Sequence, residues 1–244
     1  MPKSPARTCL AAALLGLVPL LAGAGAVYSA GLPLTIEPVN TDALPDVDDE
    51  WLTENPYRSM GNEVLQSAVD IGASGFTQNC ARCHGLGAVS GGLAPDLRYL
   101  TADFDGDEWY VERFRHGYAQ DGVTKMPAFG DLLGQKAAWA IRTYIETRPE
   151  DGALDAQLEH LREVRDLLAK RAEEVKAGTA PGEISDEITA VRADLEAIAV
   201  TIITASGAPV ADSAVSRAAM LLDGSAGGLQ AAAEALTIGL SAAQ

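Results

Sequence analysis

The stretch Cys80-Ala81-Arg82-Cys83-His84 decides the fold of this 244-residue chain. Two cysteines separated by two residues and followed at once by a histidine form the C-x-x-C-H pattern of covalent haem attachment. In such a site the thiols of Cys80 and Cys83 bond to the vinyl groups of the haem, and His84 becomes an axial ligand of the iron. The motif therefore predicts one covalently attached haem c.

Other uses of the two cysteines fit the surrounding sequence less well. A redox C-x-x-C pair is typical of a βαβ setting, and no alternation of strand and helix patterns surrounds this one. A zinc site would need a second Cys/His pair at ligand spacing. The only other cysteine, Cys9, lies just before an apolar run, in an N-terminal segment that we expect to be removed. An accidental Cys pair beside a His is the remaining alternative.

The N-terminal segment has the organisation of a secretory signal. Lys3 and Arg7 precede an apolar run over residues 10–27, which contains the small residues Ala24-Gly25-Ala26. This pattern predicts a signal peptide over residues 1–26, cleavage after Ala26 and export to the periplasm. The alternative is an uncleaved membrane anchor, since the run has about the minimum length for a span. No later stretch is apolar enough to span a membrane.

The charge balance restricts the partners. The chain has 18 basic and 34 acidic side chains, a formal net charge of −16. Such a chain should avoid nucleic acid and anionic lipid. We expect it to approach partner proteins through basic docking surfaces, with rates that depend on salt. The alternative is that the acidity only keeps the protein in solution.

Three segments are predicted after the signal. Residues 27–58 are rich in proline and acidic side chains without helical or strand periodicity, which predicts an arm lying on the next domain or a flexible lead. Trp51 and Tyr57 suggest that its last part docks, and the acidic cluster could instead contact a partner. Residues 59–149 form the haem domain, and residues 150–244 form a helical extension.

Helical periodicity organises the haem domain. Apolar residues from Leu65 to Phe76 predict a helix that runs into the haem motif, and Gly72 on its apolar face would let another helix approach closely. Asp105 and Glu108 indicate a capping box that starts a second helix, with Gly117 at its end. A last helix is expected from Gln135 to Arg148, where Pro149 ends it.

The iron needs a sixth ligand or an open position, and three side chains are candidates. Met126 lies in a loop between two helices, and Pro127 stiffens the backbone directly after it. It follows His84 by about forty residues, far enough for the chain to reach the opposite face of a porphyrin. Met60 and His116 are the alternatives. His116 lies in the last turn of a helix, where the helix dipole favours a histidine whether or not it binds a metal. We expect Met126 to be the ligand.

The segment from Asn55 to Arg148 resembles the class I cytochromes c. The matching pieces are the helix with Gly72 and Phe76, Cys80–His84, the Ala94–Arg98 loop, Met126-Pro127, and the last helix with Trp139 and Tyr144. More narrowly, it is similar to the cytochromes c-550 that accept electrons from quinoprotein alcohol dehydrogenases. That likeness covers under half of the chain.

The resemblance implies roles for further positions. The carbonyl of Pro95 would accept a hydrogen bond from the ring of His84, which would fix the ring and tune the iron. Arg98 and Tyr99 would bond a haem propionate or else form an ordinary surface pair. Trp109 is expected in the core rather than on an electron path.

The extension carries two amphipathic runs joined by a Gly/Pro connection, which predicts an antiparallel helix pair. Two further Ala-rich helices, around residues 212–222 and 229–243, would complete a small four-helix bundle. No second cofactor site is visible, and His160 is expected on a solvated face. The bundle could dock or oligomerise, or it could stabilise the haem domain.

The sequence predicts an all-α, mono-haem periplasmic protein that carries electrons and is not an enzyme. The implied path runs from a pyrroloquinoline-quinone (PQQ) alcohol dehydrogenase to a downstream cytochrome or terminal oxidase. One alternative is a subunit of a larger respiratory complex docked through its C-terminal helices. The other is a haem enzyme or sensor with a displaceable sixth ligand.

Overall fold

The computed structural model describes residues 35–242, and over that range its regular secondary structure is almost entirely helical, as predicted. The helices are α1 (Asn62–Asn79), α2 (Ala81–His84), α3 (Phe104–His116), α4 (Gly130–Glu146), α5 (Leu158–Lys176), α6 (Ser185–Ala199), α7 (Ala214–Leu221) and α8 (Ala226–Ala242). The strands are β1 (Tyr118–Gln120) and β2 (Val123–Met126). The predicted signal peptide, residues 27–34 of the arm and the last two residues lie outside the described range.

The first hydrophobic core is built on the pairing of α1 with α4. Gly72 of α1 lies directly against the backbone of Ala140 on α4, so the two helices cross at the glycine, as predicted. Phe76 packs beside the crossing, with its ring centroid 5.4 Å from that of Tyr144. The close crossing fixes the C-terminal end of α1, from which the haem motif continues.

Helix α3 begins earlier than the sequence analysis placed it, and the prediction of Asp105 as its cap is wrong. Asp103 is the N-cap, and its carboxylate accepts a hydrogen bond of 2.9 Å from the backbone N–H of Gly106. Asp105 instead lies in the first turn, where an acidic side chain suits the helix dipole. Gly117 ends the helix with φ 70°, as expected.

Trp109 on α3 is not in the core, contrary to expectation. Its side chain is 42% exposed, and the guanidinium of Arg113 lies 5.4 Å from its ring centroid. The helix directs Tyr110 and Phe114 inward instead. The prediction that Trp109 lies in the core is therefore wrong.

A short antiparallel hairpin, which the sequence analysis placed as a loop, joins α3 to α4. Strands β1 and β2 pair around Asp121 and Gly122, which both have positive φ, 52° and 76°. Asp-Gly is a preferred pair for such a two-residue turn. Met126 is the last residue of β2 and lies opposite Tyr118.

The described part of the arm, residues 35–58, lies on the first core rather than leading away from it. The side chain of Asn79 at the end of α1 accepts a hydrogen bond from the N–H of Glu37 and donates one to the carbonyl of Glu37. The side chain of Gln135 bonds three backbone groups between Asp48 and Leu52. Trp51 is partly buried against the core and Tyr57 is fully buried, so the expected docking of both residues is confirmed.

Helices α5 to α8 form a bundle around a second hydrophobic core, as predicted. The closest helix pairs are α5 with α8, α8 with α7, and α7 with α6. All six residues predicted for the second amphipathic run belong to this core or pack on it: Ile184, Ile188, Val191, Leu195, Ile198 and Ile202. His160 is exposed as expected, and its Nε2 lies 2.6 Å from a carboxylate oxygen of Asp194.

The bundle is joined to the end of α4 through backbone hydrogen bonds. Pro149 and Thr204 form an isolated β-bridge, and the N–H of Asp212 donates to the carbonyl of Thr147 over 2.9 Å. Asp212 also pairs with Arg148 and with Arg217 of α7. The extension is thus packed on the domain that precedes it. None of the described helices is long and apolar enough to cross a membrane.

Candidate functional site

The haem motif forms a tight turn at the end of α1. The N–H of Cys80 donates to the carbonyl of Phe76, and the chain then makes the single turn of α2. The N–H groups of Cys83 and His84 both donate to the carbonyl of Cys80, each over 3.0 Å. Residues three apart in a helical turn share one side, so the two thiols lie on the same side of α2. No disulfide joins Cys80 to Cys83.

The environment of Cys80 argues against a redox dithiol. Burial raises the pKa of its thiol to about 12, and the neighbouring Cys83 acts in the same direction. A reactive C-x-x-C pair needs a lowered thiol pKa, because the thiolate is the nucleophile. A free thiol at position 80 would therefore be a poor nucleophile.

The ring of His84 is held in one orientation by the following loop. Its Nδ1 lies 3.0 Å from the carbonyl oxygen of Pro95, which is the contact that the family resemblance implies. With Nδ1–H donating to that carbonyl, Nε2 carries the lone pair that can bind a metal. The residue as a whole is half-buried.

Arg98 and Tyr99, expected to bond a propionate, bind carboxylates of the chain itself. The side chain of Arg98 is 6% exposed and donates to Asp96 and to Asp151. The hydroxyl of Tyr99 donates to the other carboxylate oxygen of Asp151 over 3.3 Å. The propionate role of both residues stays a prediction, and a propionate there would have to share these donors.

Met126 is held in place by the end of α3. A Cβ atom on Gly117 would lie 2.4 Å from the carbonyl oxygen of Met126, so the two backbones are in direct contact. Just beyond Met126, the N–H of Phe129 donates to the carbonyl of Phe114 over 2.8 Å. The thioether-bearing segment is therefore fixed on both sides by α3 and cannot move independently of it.

The two alternative ligands lie in open positions. The side chain of His116 is 57% exposed, and its Nε2 is 3.8 Å from a carboxylate oxygen of Glu112. Met60 is 41% exposed and precedes α1. Met126, by contrast, is half-buried against the first core.

The residues around the motif suit a flat apolar group with a metal at its centre. Cys80, Leu100, Met126 and Leu133 are partly buried and border the same hydrophobic core. Two thiols, an imidazole with Nε2 available and a thioether are the donor set of a c-type haem. The chemistry and burial of these side chains therefore fit haem c.

A buried ionic cluster between the arm, α3 and α4 escaped the sequence analysis. Asp107 and Arg142 are both fully buried and form an ion pair of 2.8 Å. Arg58 bonds both Asp107 and Glu146, and Asn55 donates to Thr143 and Glu146. These residues lie up to 91 positions apart, so no local sequence pattern indicated the cluster.

The segment that contains this site matches a known protein family. Residues 67–145 match the family described as cytochrome c oxidase, cbb3-type, subunit III. A cytochrome c550 of Pseudomonas aeruginosa is 47% identical over 114 residues, which are 47% of this chain and 78% of the relative. The subunit FixP of the cbb3-type cytochrome c oxidase of Rhizobium meliloti is 31% identical over 119 residues, 43% of this chain and 37% of the relative.

The remaining comparisons concern a haem-bearing dehydrogenase and solved structures. The quinohemoprotein alcohol dehydrogenase ADH-IIG of Pseudomonas putida is 33% identical over 85 residues, 35% of this chain and 11% of the relative. No solved structure matches the chain significantly. The matched segments thus make up only 37% of the oxidase subunit and 11% of the dehydrogenase.

The fold and the comparisons together define a class. The chain belongs to the class I cytochromes c, through its likeness to a cytochrome c550 of which it covers most of the length. It carries covalently bound haem c and acts as an electron carrier rather than an enzyme. Residues after 145 lie outside the matching family segment.

Proposed function

We propose that Cys80 and Cys83 hold a single haem c and that His84 and Met126 are its axial ligands. One observation carries this proposal: each proposed ligand is fixed by its own backbone contact, His84 by the carbonyl of Pro95 and Met126 by the end of α3 at Gly117. Such contacts hold both donors in place whichever charge the metal bears.

Bound haem c supplies a one-electron Fe(III)/Fe(II) couple. The chain's part is to keep the same donors in place in both redox states, so that little reorganises when the electron moves. A methionine ligand raises the potential relative to a second histidine. This choice suits a carrier that takes electrons from a quinone-level donor and delivers them to a high-potential acceptor.

The proposed organisation follows from the two cores. Residues 59–149 are the haem domain, residues 27–58 are an arm docked on it, and residues 150–244 are a helical extension. Residues 1–26 are proposed as the signal peptide, with the periplasm as destination. The basic, apolar and small-residue order of that segment supports export.

For the pathway, we propose that electrons come from a PQQ alcohol dehydrogenase and pass to a downstream cytochrome or oxidase. The names of two groups of relatives, a quinohemoprotein alcohol dehydrogenase and a cbb3-type oxidase subunit, support these two directions. The net charge of −16 supports partners with basic docking surfaces. Stopped-flow reduction by such a dehydrogenase should slow as ionic strength rises, and a rate indifferent to salt would contradict acidic steering.

The ligand assignment is tested by the ferric optical spectrum. The weak near-infrared band of methionine-to-iron charge transfer should be present in the wild type and absent in Met126→Ala. Met60→Ala is the matched control, because it removes an exposed methionine, and it should keep the band. A wild type without the band, or a band lost only in Met60→Ala, would overturn the assignment.

The same variants separate the carrier from a haem enzyme or sensor. A carrier with a fixed methionine should bind carbon monoxide poorly in the ferrous state, while Met126→Ala should bind it readily. Tight binding by the wild type would favour the displaceable sixth ligand instead. The direct contact between Gly117 and Met126 is the observation against that alternative.

A second candidate is a subunit docked in a respiratory complex through its C-terminal helices. Its supporting observation is an apolar surface on the bundle, where Val200 is 85% and Ile203 62% exposed. Val200→Glu should then abolish a partner that co-purifies with the wild type. If the wild type and Val200→Glu are both monomers without a stable partner, the docked-subunit proposal is overturned.

A further inference from the structure

The loop that orients His84 is itself held by one arginine. Ser90 donates to Ala94, and the carboxylate of Asp96 accepts from the backbone N–H of Ser90 and Arg98. The guanidinium of Arg98 adds two further bonds to Asp96, 3.1 Å from Nε and 2.8 Å from Nη2. Pro95 directly precedes Asp96, so its carbonyl takes its position from this network.

The remaining side of Arg98 is taken by a residue of the C-terminal extension. Nη1 of Arg98 donates to Asp151 over 2.5 Å, and Tyr99 donates to the second oxygen of the same carboxylate. Two donors thus fix both oxygens of Asp151. Asp151 lies beyond residue 145, where the match to the cytochrome family ends.

The backbone around Asp151 is fixed by the bundle. The N–H of the preceding Glu150 donates to the carbonyl of Ile203 over 3.1 Å, and Pro149 bridges Thr204. A continuous series of contacts therefore runs from the 203–205 segment through Asp151 and Arg98 to the loop that bears Pro95, and from there to His84.

We propose that Asp151 is a positioning residue through which the C-terminal extension sets the reduction potential of the haem. This inference rests on the proposed role of His84 as an axial ligand. Asp151 acts in two ways, and both lower the reduction potential. Its carboxylate balances the charge of Arg98, and it holds the loop so that the carbonyl of Pro95 keeps a strong hydrogen bond to the ring of His84.

Both effects favour the ferric state. A negative charge near the site stabilises the more positive oxidised metal. A stronger hydrogen bond from Nδ1 makes the imidazole a better electron donor through Nε2. Loss of Asp151 should therefore raise the potential.

The test uses the full-length holoprotein and the variant Asp151→Asn. We expect a higher midpoint potential, on the order of threefold in the reduction equilibrium constant, and a change in the hyperfine-shifted NMR resonances of the His84 ring. Asp151→Glu should restore much of the wild-type behaviour. Asp151 is 70% exposed in its side chain, so the substitution should not prevent folding.

Asp155→Asn is the matched control. It removes the same charge four residues along, from an exposed side chain without an ion pair among the described residues. Equal shifts of potential in both variants, or unchanged His84 resonances in Asp151→Asn, would overturn the proposal. The first result would mean a general charge effect, and the second would mean that Asp96 and Arg98 hold the loop without Asp151.

The outcome is separable from a failure of the ligand assignment. If the wild type shows no hyperfine-shifted resonances from the His84 ring, that residue is not an iron ligand and both proposals fall. If those resonances are present and Asp151→Asn leaves them and the potential unchanged, only the role of Asp151 is overturned.

Discussion

The carbonyl oxygen of Ala140 on α4 lies 2.0 Å from the place that a Cβ atom on Gly72 of α1 would occupy. Gly72→Ala should therefore force the two helices apart and lower the free energy of unfolding by about 1–3 kcal/mol or more. Denaturant unfolding of the haem-bearing protein measures this. Gly91→Ala is the control, since nothing lies within 4 Å of its Cβ position, and an equal loss there would contradict the packing explanation.

Gly117→Ala should disturb the proposed methionine ligand from a distance. Its Cβ would meet the carbonyl oxygen of Met126 at 2.4 Å, and the residue has φ +70°. We expect the methionine-to-iron band to weaken or disappear. Gly122→Ala carries the same strain of positive φ, +76°, but has nothing within 4 Å, so its band should remain. If both variants lose the band, the cause is backbone strain at a positive φ and not the contact between residue 117 and Met126.

Arg142→Met should destabilise the protein strongly. It leaves the buried carboxylate of Asp107 with only Arg58 as an ionic partner, and removing one member of a buried pair costs about 3–5 kcal/mol. Arg162→Met makes the same exchange in an exposed pair with Glu159 and should cost about 0–1 kcal/mol. Comparable unfolding midpoints for the two variants would show that the buried cluster contributes little.

Asp212 makes the junction with the bundle sensitive to acid. Burial alone would raise the pKa of its carboxyl, but Arg217 and Arg148 lower it below the usual value. A group whose pKa is lowered by folding contributes stability above its ordinary pKa of about 4 and loses it as the pH falls through the folded value. Asp212→Asn should reduce stability at pH 7 and flatten its decline below about pH 4.

The control for that pH dependence is Asp49→Asn, at an exposed aspartate outside any helix and without an ion pair among the described residues. Its unfolding curves at neutral and acid pH should follow those of the wild type. If Asp212→Asn keeps the wild-type slope in acid, another carboxylate is responsible for the loss.

Tyr57→Phe should leave stability unchanged or raise it slightly. Tyr57 is fully buried, and its hydroxyl is the one buried side-chain polar atom without a partner in the described part of the chain. Removing it should relieve a desolvation cost of about 1 kcal/mol. Tyr110→Phe deletes a hydroxyl that donates to the carbonyl of Ala138 over 2.9 Å, and it should cost about 0.5–1.5 kcal/mol. Thermal unfolding of both variants tests this. A lower stability of Tyr57→Phe would indicate that the hydroxyl of Tyr57 bonds a bound molecule such as water.

Local signals made most of the helical fold predictable. The period of the apolar residues located α1 and the bundle helices, and Gly72 and Gly117 indicated a close crossing and a helix end. The start of α3 was misplaced because Asp103 and Asp105 are both plausible caps, and only the tertiary position of the 101–106 turn decides between them. The hairpin had a local signal in Asp121-Gly122 that the all-helical expectation overlooked.

The long-range polar contacts could not be predicted from the sequence. Asp107, Arg142 and Arg58 look like ordinary surface charges in their own segments, because burial arises only when α3, α4 and the arm meet. Asp151 is likewise an unremarkable turn residue until it lies against Arg98, 53 positions away. The spacing of Cys80, Cys83 and His84 pointed to the attachment site, while the residues that orient it depend on the assembled structure.

The pairing of α1 with α4 has a counterpart in the pairing of α5 with α8, since in each case the first and last helices of a core are neighbours. A core that closes in this way cannot be completed while its final helix is still missing from the growing polypeptide. During synthesis the first core can therefore close only once the chain has passed Glu146, and the second only once it has reached α8. The two halves of the protein should mature in sequence order, with the cysteines of the first half still accessible until α4 arrives.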